Sequence, residues 1–231
     1  MNAYFEKIKF VKSKVVSYLN DIFKVYGNEL LLRLEDYNLL ENRYNCLESS
    51  TATGFIMEEF IVSKLETYSQ SHNNIDEIRI ERTANHKTQK TSYDCCVYYQ
   101  DVFFMINVKV NKKNNNAVSA INILYNDYAC NNPEMEKSFL VLKTNYTFGE
   151  SEKTKENKIL IKEISIYALE EIDFTIGHKQ DHRNWSKEYK SASGRLQISN
   201  KFRKLNSLKE EEISHNKTKE FLEKMYKQNK N

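Results

Sequence analysis

The chain has 231 residues, 40% apolar, 12% aromatic and 29% charged, with a formal net charge of +3 at pH 7 and a single proline. That length suits one sizeable domain with its own core, and the composition is that of a soluble globular protein. No apolar run approaches the ~18 residues that a membrane span needs, and a net charge this small points to a partner only where it is clustered. The amino terminus, MNAYFEKIKF, lacks the apolar core of a secretion signal, so a cytoplasmic address is expected. Cys46, Cys95, Cys96 and Cys130 include no C-x-x-C spacing, which argues for reduced thiols rather than a zinc site or a disulfide framework.

Residues 3 to 26 carry Ile8, Val11, Val15, Leu19, Ile22 and Tyr26 at three- and four-residue steps, which predicts an amphipathic helix with Gly27 as its C-cap. A second helical stretch, Asn28 to about Leu47, repeats the pattern more loosely. A third, Thr53 to Tyr68, turns Met57, Ile61 and Leu65 inward and projects Glu58 from its flank, before a polar loop over 69–74. From Ile75 the period changes to two, with Ile78 and Ile80 alternating with Glu77, Arg79 and Glu81, the pattern of a strand.

A polar loop then leads into Tyr93 to Lys109, YDCCVYYQDVFFMINVK, where two apolar-rich runs flank a turn at Gln100 and Asp101. This predicts a hairpin. Ala117 to Ala129 reads as a helix through Val118, Ile121, Leu124 and Tyr125 or Tyr128, stopped by Pro133. Strands are expected at Phe139 to Phe148 and Ile159 to Leu169, followed by a loop over 177–204. A surface helix ends the chain, with Leu208, Ile213, Phe221, Leu222 and Met225 as its apolar residues. The order suits an α/β domain with a mixed sheet.

Side chains alternate along a strand, so Asn107 and Lys109 share one face while Ile106 and Val108 take the other. Pairing about the turn brings Asp94 opposite Asn107 to Lys109, gathering an acid, an amide and an ammonium at one sheet end. That is a metal-dependent phosphodiesterase in outline. A divalent cation neutralises the charge of a phosphorane-like transition state and supplies hydroxide near neutral pH. Magnesium needs only one or two carboxylates, its remaining positions being filled by water. In this reading Asp94 is the ligand, and Lys109 orients or deprotonates the attacking water or pairs with a phosphate oxygen.

Asp94, twelve intervening residues and Asn107-Val108-Lys109 resemble the PD-(D/E)xK nuclease signature, with Tyr93 in the proline position and Asn107 in that of the second acid. Gly54-Phe55-Ile56-Met57-Glu58-Glu59-Phe60-Ile61 resembles the family's glycine-to-glutamate helix, and its usual offset of four selects Glu58 over Glu59. The run Asn114 to Ser119 and the later Gly194 to Ile198 are similar to features of type II restriction endonucleases. The resemblance implies an α/β, restriction-endonuclease-like core with a central mixed sheet flanked by helices. It implies one nuclease domain over 1–231, with a helical amino-terminal region over 1–50, a catalytic and DNA-binding core over 53–204 and a carboxy-terminal helix over 205–231.

It further implies Mg2+ held by Asp94, Glu58 and Asn107, the last either through its amide oxygen or by a hydrogen bond to a metal-bound water. Catalysis would then involve Asp94, Lys109, Glu58 and Asn107, with Asn116 and Ser119 at the DNA. The substrate implied is double-stranded DNA, cut at a short palindrome by a homodimer to leave a 5′-phosphate. A cognate methyltransferase protecting host DNA is implied as well.

The 177–204 segment holds eight Lys or Arg against two acids, with Trp185 and Tyr189 interleaved. Such a segment suits DNA, because basic side chains displace counterions from phosphates. Arg183, Lys187 and Lys190 are the expected phosphate contacts, and Trp185 either stacks at bases or anchors a core. Arg195 and Gln197 offer donors to base edges, arginine matching guanine and glutamine adenine. His178 and His182 have a zinc-compatible spacing but no third ligand near them, which favours phosphate contact. Two other readings remain at this level: a structure-specific or repair nuclease of the same fold, and a non-catalytic DNA-binding protein whose site is degenerate at Asn107.

Overall fold

A computed structural model describes residues 2–30, 50–71, 78–83, 91–111, 117–155, 157–173, 195–197 and 208–228. Helix α1 spans Ala3–Val25 and buries Ile8, Val11, Val15, Leu19 and Ile22, the stripe expected from the sequence. The Asn2 side chain caps it by accepting from Phe5 N at 3.3 Å, while its amide donates to the carbonyls of Glu210 and Ile213. One residue thus starts the helix and ties it to the distant carboxy-terminal segment. Gly27, at φ +67°, ends it by donating to Lys24 O, a left-handed conformation that glycine adopts without a Cβ penalty. Tyr26 departs from the predicted stripe, lying 41% exposed at the C-cap with its edge against Phe60.

The second expected helix does not begin at Asn28. Glu29–Leu30 form β1, paired antiparallel with β7, because the turn after Gly27 sends the chain along a sheet edge. The remainder of that stretch, 31–47, lies outside the described residues. Helix α2, Ser50–Ser71, buries Met57, Ile61 and Leu65 and extends through Ser69, Gln70 and Ser71, where polar composition had suggested a loop. Tertiary contact accounts for the extension, since Ser69 Oγ accepts from Ile80 N at 2.9 Å and docks the helix end on β2.

Strands β2 (Ile80–Arg82), β3 (Cys95–Tyr99) and β4 (Val102–Asn111) form an antiparallel meander, and the β3–β4 hairpin turns at Gln100 and Asp101 as expected. The chain then crosses over through β5 (Ala117–Ala120), α3 (Ile121–Tyr125) and a π-helical turn (Asn126–Cys130) to β6 (Glu136–Glu150). A crossover is what parallel neighbours require, and β6 pairs parallel with β4. β7 (Asn157–Ala168) returns antiparallel to β6, completing a mixed sheet of order β1-β7-β6-β4-β3-β2.

Residues Ala117–Ala120 were expected to be helical and Arg195–Gln197 (β8) to lie in a loop; they pair with each other as a two-stranded sheet. Inter-strand hydrogen bonds across some 75 residues override the local pattern at both places. After a short 3-10 turn at Glu210–Glu212 comes α4, His215–Gln228.

Alternation along β4 divides the interior in two. Phe104, Ile106, Val108 and Val110 join α1 and α2 on one face, and Met105 joins Val118, Ile121, Leu124, Tyr128, Leu222 and Met225 on the other. The architecture is therefore α/β, a mixed sheet with helices on both faces. Among the described residues no helix is long and apolar enough to cross a membrane. Cys95, Cys96 and Cys130 are free thiols.

Helix α4 exposes Asn216, Lys217, Glu220, Lys224 and Lys227 and turns its apolar residues inward, with Leu222 fully buried and Met225 only 5% exposed. Truncating a core leucine removes its transfer energy and leaves a cavity, so Leu222→Ala is expected to lower stability by about 2–5 kcal/mol in urea unfolding. An effect under about 0.5 kcal/mol would contradict the packing of this face into the core.

Glu170, fully buried in the 3-10 turn after β7, accepts from Tyr128 OH at 2.6 Å, Ser138 Oγ at 3.0 Å and Phe139 N at 3.0 Å. Burial outweighs these donors and pushes its carboxyl up to about 7. The folded pKa then lies above the unfolded value, so the folded state holds the proton longer and Glu170 destabilises the fold as pH rises from about 4.5 to about 7. Glu170→Gln cannot titrate. The stability of the wild type relative to this variant is expected to fall between pH 5 and pH 8, and a constant difference would contradict the assignment.

Candidate active site

The site begins where β3 stops covering β4. Cys95 pairs with Ile106, and beyond it the edge N–H groups of Val108 and Val110 have no strand opposite them among the described residues. Backbone donors in a partly buried position need acceptors, and two carboxylates supply them. Asp94 Oδ2 accepts from Val108 N at 2.7 Å, and Glu58 Oε1, reaching over from α2, accepts from Val110 N at 3.3 Å. A single strand edge thus brings together two acids that lie 36 residues apart in the chain (94 − 58). Gly54, one turn before Glu58, lies close against β4: a Cβ there would meet Val110 O at 3.5 Å.

Asn107 and Lys109 share the sheet face opposite to Ile106 and Val108, as the alternation predicts. Asn107 is 5% exposed; its Nδ2 donates to Ser92 O at 2.9 Å and to Asp94 Oδ2 at 3.3 Å. Its Oδ1 is buried with no hydrogen-bond partner among the described residues. Lys109 Nζ donates to Val108 O at 3.1 Å, and its half-buried ammonium acts on both carboxylates. Glu59 instead forms an ion pair with Arg82, which leaves Glu58 as the acid of the pair that faces β4.

The electrostatics are those of acids short of compensation. Burial pushes the Asp94 carboxyl above the usual range, opposed by the Lys109 ammonium and the Val108 N–H. Glu58 is raised for the same first reason, opposed by Lys109 and raised further by the charge of Asp94. Two partly desolvated carboxylates, both drawn on by the Lys109 ammonium and with Glu58 also raised by the charge of Asp94, make a site to which a divalent cation would be attracted. Asp94 and Glu58 are the groups able to ligate it, and the orphaned Asn107 Oδ1 is a neutral oxygen beside them. Among the described residues no three His, Cys, Asp or Glu side chains cluster as a metal cage. Two carboxylates and an amide oxygen are an all-oxygen donor set, of the kind that suits magnesium, which keeps several waters, better than zinc.

Sequence reasoning did not identify Ser92 or Asp127, whose hydrogen bonds reach Asn107, nor Lys143. Lys143 is the register partner of Lys109 on β6 and is 2% exposed. An acid next to the apolar positions Leu124 and Tyr128 was the available signal for Asp127. Ser119 lies half-buried on β5, while Arg195 and Gln197 stand on β8 opposite Ala120 and Ala117. Asn116, Arg183, Trp185, Lys187 and Lys190, together with His178 and His182, lie outside the described residues. Compared with known protein families and with curated proteins, the chain matches none.

Proposed function

We propose that the protein is a magnesium-dependent endonuclease for double-stranded DNA with a restriction-endonuclease-like core. The supporting observation is the convergence of Glu58, Asp94, Asn107 and Lys109, from one helix and one hairpin, at one end of β4. These are the four residues through which the sequence resembles the PD-(D/E)xK nucleases. In this reading Asp94 and Glu58 bind the metal, and the bound ion supplies charge neutralisation at the scissile phosphate and acidifies water. Lys109 orients the attacking water or pairs with a phosphate oxygen. Asn107 holds Asp94 through Nδ2 and offers Oδ1 to the metal or to its water shell.

The restriction-type form of the reading is a homodimer acting in the cytoplasm on a short palindrome, because a two-fold protein presents one site to each strand of a two-fold target. A cognate methyltransferase belongs to that form. Incubation with a long mixed-sequence duplex in magnesium, beside an EDTA control, tests it. Discrete magnesium-dependent fragments are expected; a continuous smear would move the assignment to a structure-specific or repair nuclease. One observation favours a rival from another class. Asn107 donates to Asp94 instead of adding a second negative charge, which suits a DNA-binding protein without catalysis. DNA binding that persists in magnesium with no cleavage would establish that rival.

A further inference from the structure

We propose that Asp127, in the π-helical turn of the crossover, is a positioning residue that sets the geometry of the candidate site through the backbone of Ser92. The proposal rests on the nuclease reading for its purpose, but its geometry is independent of it. Asp127 Oδ2 accepts from Ser92 N at 2.6 Å, and Ser92 O accepts from Asn107 Nδ2 at 2.9 Å. Asn107 Nδ2 also donates to Asp94 Oδ2 at 3.3 Å, and that same oxygen accepts from Val108 N at 2.7 Å. An unbroken chain of hydrogen bonds therefore joins the crossover to the acid.

The crossover is built to present Asp127. Asn131 N donates to Asn126 O at 2.8 Å, a five-residue closure that widens the turn. Within it three consecutive residues, Asp127, Tyr128 and Ala129, are buried. Lys137 Nζ pins the turn by donating to the carbonyls of Asp127 (2.8 Å) and Asn131, and Asn131 Nδ2 occupies Asp127 Oδ1 at 3.2 Å. The second oxygen, Oδ2, is directed at Ser92.

The consequence falls on Asn107. An amide can present either its oxygen or its nitrogen to a neighbour, and a carbonyl accepts only the nitrogen. Ser92 O, seated by Asp127, is the nearer of the two acceptors on Asn107 Nδ2, at 2.9 Å against 3.3 Å for Asp94 Oδ2; together they set which way the amide faces and leave Oδ1 as the acceptor on the other side. The chain thereby provides a neutral oxygen, in a set orientation, at the strand position where the resemblance calls for an acid.

The test compares Asp127→Ala with Asp127→Asn, which keeps an acceptor for Ser92 N–H. Two readouts are amide hydrogen exchange at Val108, measured without metal, and Mn2+ affinity by direct titration. Asp127→Ala is expected to lower Val108 protection and Mn2+ affinity by about tenfold each, and Asp127→Asn to restore both to within about threefold. Unchanged Val108 protection in Asp127→Ala would overturn the proposal. So would a loss spread evenly over α1 and the sheet, which marks a structural residue only. Absence of Mn2+ binding in the wild type would remove the nuclease reading, while Val108 protection would still decide the role of Asp127.

Discussion

Asp94→Ala is expected to reduce magnesium-dependent cleavage of duplex DNA by about a thousandfold or more, while binding of the same DNA in calcium stays within a few-fold of wild type. The separation follows from where Asp94 lies. Its carboxylate touches Val108 N and Asn107 Nδ2 at the sheet end, and the candidate DNA-contacting residues belong to other parts of the chain. Alanine also leaves the Val108 N–H without an acceptor, at a cost of about 1–3 kcal/mol if it stays buried. Asp94→Asn is therefore the companion variant, since it keeps an acceptor oxygen and removes only the charge. Both variants are expected to be inactive, with Asp94→Asn the more stable in urea unfolding. Cleavage at the wild-type rate in Asp94→Asn would take the metal role away from this residue and leave it a cap for the strand edge.

Lys109→Met is expected to lower the cleavage rate by about a hundredfold, the usual scale for a positioned proton-transfer or charge-stabilising group. Methionine keeps much of the apolar stem and deletes the ammonium. The variant carries a second signature that a packing defect would not produce. The Lys109 charge lowers the pKa of both Asp94 and Glu58, so its removal raises both. Protons then compete with metal to a higher pH, and the midpoint of Mn2+ binding against pH is expected to move upward. A slow variant with an unmoved midpoint would mean that Lys109 acts on the substrate alone. An unimpaired variant would exclude it from the site.

The parts of the site that sequence pattern reached are those built from local periodicity. Alternation along Val102–Asn111 placed Asn107 and Lys109 on one face, and the two-residue turn placed Asp94 across from them. The 3.6-residue step of α2 set Met57, Ile61 and Leu65 inward with Glu58 beside them. What escaped depends on pairings between distant segments. The parallel register of β4 with β6, which sets Lys143 beside Lys109, has no signature within either strand. Ala117–Ala120 read as helix because its strand partner lies some 75 residues on, at Arg195–Gln197. Asp127 was hidden for a related reason, since a helical wheel with a fixed step does not represent a π-helical turn. The choice of Glu58 over Glu59 comes from the family-like offset from Gly54 and not from periodicity, and the ion pair of Glu59 with Arg82 separates their environments.

The most direct test of the central claim is a magnesium titration of supercoiled plasmid cleavage by the wild type and Asp94→Asn, prepared side by side. The account predicts nicked and linear products that rise with magnesium, vanish with EDTA and are absent at every concentration for the variant. Wild-type protein that retards the plasmid in a gel but leaves it intact across the whole titration would contradict it.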